Sequence, residues 1–278
     1  MLVVGAGGLV GGALAALPGV IGLPRGALDI TDRAAVEAAL DRLGPAALIN
    51  AAAQARVDAA DQDPLGAEAI NALAPGALAA ACARRGLRCV HLSTDYALNG
   101  PDEPGLRLDE AWPADPRSVY AATKRRGEEA ALAEGAVVVR VQWVYAPTGA
   151  SFLARCLAAL REGQRLRLVT DQVGSPTPVS LLAPALLRCA LGGPGGLFHL
   201  ACGGEATPYQ WVQAAADLAG LPFQAEATTR AALGGAFRPA RSCLASDRFA
   251  QAFGLRLPEW RPALAEALSI RGRSAQTP

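Results

Sequence analysis

A short apolar run, Leu2-Val3-Val4, passes directly into Gly5-Ala6-Gly7-Gly8-Leu9-Val10-Gly11. This junction constrains the chain more than any other part. Glycines spaced G-x-x-G-x-x-G between a strand and a helix permit a tight turn and let other atoms come close to bare backbone. A structural turn in a glycine-rich chain is the alternative reading. Its place after a first strand and at the head of a first helix favours a phosphate-binding turn at the edge of a parallel sheet.

The pattern downstream agrees. Helical periodicity over residues 9–17 is followed by a strand at 20–23 and a helix at 31–43 that Thr31 is placed to cap. Strands are expected at 47–50, 88–93 and 137–141, and helices at 64–85 and 119–133. Strand and helix units in series predict an α/β fold, a doubly wound parallel sheet of the Rossmann type. Beyond Val144 the alternation fades. Helices are expected at 152–162, 179–191 and 208–220 and a strand at 197–200, while 222–239 reads as irregular and 271–278 as a short disordered tail. The expected organisation is a dinucleotide-binding domain of residues 1–145 with parts of 177–204 and 237–256. A smaller, discontinuous substrate-binding lobe would comprise 146–176, 205–236 and 257–278.

With 278 residues, 51% of them hydrophobic, the chain is long enough to bury a substantial core. Its 26 lysines and arginines nearly cancel 25 aspartates and glutamates, so no basic field favours nucleic acid as a partner. The N-terminus has no basic and apolar leader of the secretory kind, which implies a cytoplasmic location. Alanine-rich stretches such as 77–83 end at Arg84 and Arg85, short of the roughly 18 residues of a membrane span, so no membrane association is expected. Six cysteines without a C-x-x-C pair read as buried thiols, and two separate histidines offer no metal site.

At the end of the second strand an acid would bind the adenosine ribose of NADH, whereas an arginine would accommodate the 2′-phosphate of NADPH. Arg25 stands there with no acid beside it, which favours NADPH, with NADH as the alternative if Arg25 is only a solvated loop charge. Asp29 and Ile30 follow, placed for an adenine contact or a capping role, and Asn50-Ala51-Ala52-Ala53 closes the third strand with small residues. Those residues let the cofactor's ribose approach, or simply pack tightly.

Tyr120 and Lys124 are spaced to share one helix face. A neighbouring ammonium would lower the phenol from its ordinary pKa of ~10, allowing Tyr120 to protonate a carbonyl oxygen as hydride reaches the carbon. A surface tyrosine beside a solvated lysine is the plain alternative. The strand ending Ser93-Thr94-Asp95-Tyr96 points its carboxyl end toward the ligand crevice, where Thr94 can donate to the same oxygen. His91, inside that strand, reads as a core residue or one supporting the site from behind.

These segments, with Asp171-Gln172-Val173-Gly174-Ser175-Pro176-Thr177 and Arg140 before Trp143-Val144-Tyr145, resemble the dTDP-4-dehydrorhamnose reductase family of extended short-chain dehydrogenase/reductases over nearly the whole length. The resemblance implies reduction of a dTDP-linked 4-keto-6-deoxyhexose with Thr94, Tyr120 and Lys124 as catalytic triad. Cofactor contacts would come from Gly5, Gly7, Gly8, Leu9, Val10, Gly11, Arg25, Asp29, Ile30, Asn50, Ala51, Ala52, Tyr120 and Lys124, the last on the nicotinamide ribose. Val57, Asp95 and Trp143 would touch the nucleotide-sugar substrate, and the protein would be a monomer or homodimer. Three segments depart from the family pattern: Gln54-Ala55-Arg56, Ala97-Leu98-Asn99 and Val141-Gln142. They leave open another nucleotide-linked keto sugar, an epimerase holding NAD, or a non-catalytic regulatory subunit.

Overall fold

The computed structural model describes residues 1–274. Strands β1 (Leu2–Val4), β2 (Ile21–Leu23), β3 (Ala47–Asn50), β4 (Arg88–Thr94), β5 (Val137–Val141) and β9 (Gly196–Leu200) form a six-stranded sheet in the order β2-β1-β3-β4-β5-β9. Every pairing in it is parallel. Parallel strands need crossovers, and helices α1 (Leu9–Ala15), α2 (Arg33–Leu43), α4 (Pro64–Ala83) and α5 (Val119–Ala133) supply them, with α3 (Val57–Gln62) preceding α4. Because these helices cover both faces, strands such as Val137-Val138-Val139 are apolar on both sides and buried throughout. The direction of strand order reverses between β1 and β3, which opens a crevice at their carboxyl ends, where doubly wound sheets bind ligands.

Asp32, not Thr31, caps α2: its Oδ1 accepts from Ala35 N at 3.0 Å, while the Thr31 amide and hydroxyl both donate to Asp29 Oδ1. A π-helical turn at Ala69–Leu73 interrupts α4. At 20 residues this helix is long and apolar enough to cross a membrane by composition, contrary to the reading of its alanine-rich part, but half of it is packed inside the protein. It lies against α5, where a Cβ on Gly127 would come 2.0 Å from Asn71 O.

Two short parallel pairs lie outside the main sheet. Strand β6 (Val144–Tyr145) joins β8 (Thr177–Pro178), and β7 (Leu166–Val169) joins β10 (Ala225–Thr228). The stretch expected to be irregular thus contains a strand, followed by a short helix, α9 (Arg230–Leu233). Around them pack α6 (Phe152–Arg161), α7 (Val179–Leu191), α8 (Pro208–Leu218), α10 (Asp247–Phe253) and α11 (Trp260–Ser274). The first residues of the expected disordered tail are therefore helical, and the remainder lies outside the described residues. All six cysteines are buried free thiols, and among the described residues no group of three or more His, Cys, Asp or Glu could hold a metal.

Candidate active site

The turn after β1 is held by Gly5 N and Ala6 N, which both donate to Leu23 O. Gly5 has φ +81°, and a Cβ there would lie 2.5 Å from Ala52 N; one on Gly11 would lie 2.2 Å from Gly5 O. Only bare backbone lets α1, this turn and the end of β3 close so tightly. A cavity of about 190 Å³ opens beside them, lined by Gly5, Gly7, Gly8, Arg25, Leu28, Asp29, Ile30, Ala51, Ala52, Ala53 and Ile70. Eight of the residues expected to meet a cofactor thus surround one space, while Leu9, Val10 and Gly11 continue into α1 and Asn50 is buried behind it. A glycine-walled cradle with an exposed guanidinium at its rim fits an anionic dinucleotide. Arg25 sits 3.6 Å from Asp29, whose carboxyl is held below its usual range first by the Thr31 backbone, then by the Thr31 hydroxyl, with the Arg25 charge adding to them.

Ser118 caps α5 by accepting from Ala121 N at 3.2 Å, which sets the start of the helix carrying Tyr120 and Lys124. Tyr120 lies close enough to Thr94 for the two side chains to interact. Burial nevertheless raises the Tyr120 phenol well above its ordinary value, more than the Thr94 contact lowers it. This reverses the expectation from sequence, and the reason is geometric. Lys124 Nζ turns toward β4, donating to Leu92 O at 2.6 Å with His91 Nε2 at 3.3 Å, so its charge is not directed at the phenol. Burial lowers Lys124 itself to about 8 against the opposing pull of Glu128.

Behind Thr94 lies a polar network that the motifs did not reveal. Asp95 is buried, with its Oδ2 accepting from Ser242 Oγ at 2.5 Å and from Gln142 Nε2 at 3.1 Å. Thr94 Oγ1 donates to the other carboxylate oxygen at 3.3 Å. Burial outweighs these bonds and pushes Asp95 up to about 6. Gln142 also donates to Ser242 O and accepts from Ser175 N at 2.9 Å, so this departure from the family pattern ties the end of β5 to the 171–177 segment.

A second cavity, of about 990 Å³, is lined by Trp143, Tyr96, Phe152, Trp211 and the 230–238 segment, with Arg167, Arg230, Arg238, Asp58 and Asp171 supplying charge. Trp143 has φ +41° and stacks on Trp211 at 5.9 Å, and its ring occupies the space a Gly174 side chain would take. Tyr96 connects this cavity to Tyr120 by an edge-to-face contact at 6.0 Å. Val57 and Asp95 are not among its lining residues, although Asp58 is. Asp58 accepts from Ala236 N and Arg238 Nη2, both at 2.8 Å, and Asp171 accepts from Arg230 N at 2.8 Å. Arg230 and Arg238 escaped the sequence reading because their segment has no periodic pattern.

A doubly wound sheet with a glycine cradle after its first strand, and a Tyr-x-x-x-Lys pair on the helix entering its fifth, defines an extended short-chain dehydrogenase/reductase. The sequence profile of the RmlD substrate binding domain matches residues 1–271, and the chain belongs to that family. It is 37% identical over 295 residues to a dTDP-4-dehydrorhamnose reductase of Streptomyces griseus, spanning 99% of this chain and 95% of that one. It is 32% identical to a dTDP-4-keto-6-deoxy-D-glucose reductase of Streptomyces niveus, over 97% and 96% of the two chains. The crystal structure of dTDP-4-dehydrorhamnose reductase from Bacillus anthracis in complex with NADP superposes with a TM-score of 0.91 at 26% identity, covering 97% of this chain and 98% of that one.

Proposed function

We propose that this protein uses NADPH to reduce the 4-keto group of a dTDP-linked 6-deoxyhexose, converting dTDP-4-dehydro-L-rhamnose to dTDP-L-rhamnose. The observation that carries this reading is the Tyr120 phenol placed beside Thr94 and in edge-to-face contact with Tyr96, which borders the larger cavity. The reduced nicotinamide supplies the hydride when bound. Tyr120, kept protonated by burial, donates its phenolic proton to the carbonyl oxygen, and the Thr94 hydroxyl turns its one proton from Asp95 to that oxygen as a second hydrogen bond. Lys124, one helical turn away, is the partner for the phenolate left behind.

The residues around the smaller cavity take the cofactor, with Arg25 at the 2′-phosphate. The Trp143 ring offers the sugar an apolar face. Asp95 acts through Thr94, and Val57 adjoins Asp58 at the cavity edge. Arg167, Arg230 and Arg238 give the same cavity the charge a diphosphate needs. Its volume is at the upper end of ordinary ligand sites, suited to a nucleotide sugar. A cytoplasmic monomer or homodimer is the form in which we expect the enzyme to work.

A related 4-keto sugar is the second reading. Gln54-Ala55-Arg56 and Gln142 depart from the family pattern near the crevice, and the Streptomyces niveus relative is named for a different hexose. The test is to mix purified protein with NADPH or NADH and dTDP-4-dehydro-L-rhamnose generated in situ, and to follow loss of the reduced nicotinamide's absorbance. Oxidation that depends on the sugar supports the first reading. Cofactor binding without turnover supports the second, and failure to bind either cofactor rejects both.

A further inference from the structure

A buried line of hydrogen bonds runs from the cofactor-side turn to Lys124, and its polarity is over-determined. Ala52 N donates to Asn50 Oδ1 at 3.0 Å, which fixes the Asn50 amide with its Nδ2 toward His91. That Nδ2 lies 3.1 Å from His91 Nδ1. An amide nitrogen only donates, so Nδ1 must accept. Burial, the larger cause, lowers the His91 pKa well below its ordinary value, and the ring stays neutral with a single N–H. That proton then sits on Nε2, which faces Lys124 Nζ at 3.3 Å. An ammonium has no lone pair for it. An uncharged amine does, and can still donate to Leu92 O at 2.6 Å. Moving the imidazole proton to Nδ1 only transfers the donor–donor conflict to Asn50, and flipping Asn50 transfers it to Ala52 N.

We propose that His91 is a positioning residue for Lys124, presenting its Nε2–H to Nζ and so favouring the uncharged amine over the ammonium. The other groups around the amine fit this. Glu128, one turn along the same helix, is the charge favouring an ammonium, but it is committed to Arg140 through two bonds of 2.7 Å and to Arg125 at 3.0 Å. Tyr120, one turn back, is governed by burial, as expected of a phenol with no cation aimed at it. Asn50 carries the effect to the cavity wall, because its own Oδ1 is bound by Ala52, which lines that cavity. Lys124's charge thereby depends on the geometry of the cofactor turn. Its catalytic meaning rests on the reductase reading, but the hydrogen-bond polarity does not.

The composition makes the test direct, since Lys124 is the single lysine in the chain. Protein grown with isotopically labelled lysine and histidine gives one side-chain amine signal, to be titrated by NMR with no cofactor or sugar added. We expect His91 as the Nε2–H tautomer in wild type, and a lysine midpoint in His91→Gln and His91→Phe that is higher by about one pH unit or more, a tenfold gain in proton affinity. The proton on Nδ1, or a midpoint that neither variant moves, overturns the proposal. Should neither variant fold, the wild-type tautomer decides alone. In a reductase assay the pH profile of turnover moves with the lysine midpoint, whereas damage to structure lowers turnover at every pH alike. If the sugar proves wrong, the NMR result stands unaffected.

Discussion

Arg140 on β5 clasps Glu128 on α5 through two parallel hydrogen bonds of 2.7 Å, with both side chains almost wholly buried. Burial pushes the Glu128 carboxyl up, but the bonds and charge of Arg140 bring it below its ordinary value. His199 Nε2 faces the remaining guanidinium edge at 3.2 Å, so the pair anchors the helix that carries Tyr120 and Lys124 to the sheet. Glu128→Gln leaves a buried charge without its partner and is expected to cost ~3–5 kcal/mol. Urea unfolding near neutral pH measures it; a loss of only a few tenths would mean that water reaches Arg140.

For Tyr120→Phe and Lys124→Met we expect turnover to fall by ~10²–10⁴ with little change in melting temperature, since one removes the proton donor and the other the amine one helical turn from it. Near-normal turnover by either variant would break the mechanism.

The Arg25 side chain is 77% exposed and paired only loosely with Asp29, so its removal should leave stability untouched. If its guanidinium holds a 2′-phosphate, Arg25→Ala raises the KM for NADPH about tenfold, the loss of ~1.4 kcal/mol of binding, and leaves that for NADH unchanged. Equal effects on both cofactors would make Arg25 a solvated loop charge.

Asp95 should make stability depend on pH. Its folded pKa of about 6 lies above the ordinary 3.8, so the protonated carboxyl favours the fold. That contribution is fully present below 3.8 and is lost as pH rises through about 6. Between roughly pH 4 and pH 7, wild type should lose on the order of 3 kcal/mol relative to Asp95→Asn, at ~1.4 kcal/mol for each pH unit separating the folded and unfolded pKa values. Parallel stability curves for the two proteins would show the carboxylate ionised throughout.

Much of the architecture was legible locally. Helix Val119–Ala133, strand Val137–Val141 and helix Val179–Leu191 were read with their observed limits, because apolar periodicity records which face of an element will be buried. The glycine turn was equally plain, since only glycine tolerates the approach of Ala52 to Gly5. Strand β10 was not, because Ala225–Thr228 is short and half exposed and is stabilised by pairing with distant Leu166–Val169. Arg230 and Arg238 were missed with it.

The sequence by itself therefore determined the order of elements, the sheet class and the residue types available for chemistry, all of which follow from local sterics and periodic burial. Tertiary structure alone decided how those residues act on one another. Only packing brings His91 of β4 between Asn50 and Lys124, turns the amine away from Tyr120, and buries Asp95 against Gln142 and Ser242. Hydrogen-bond polarity and desolvation depend on what lies within a few ångströms in space, and spacing along the chain does not encode that distance.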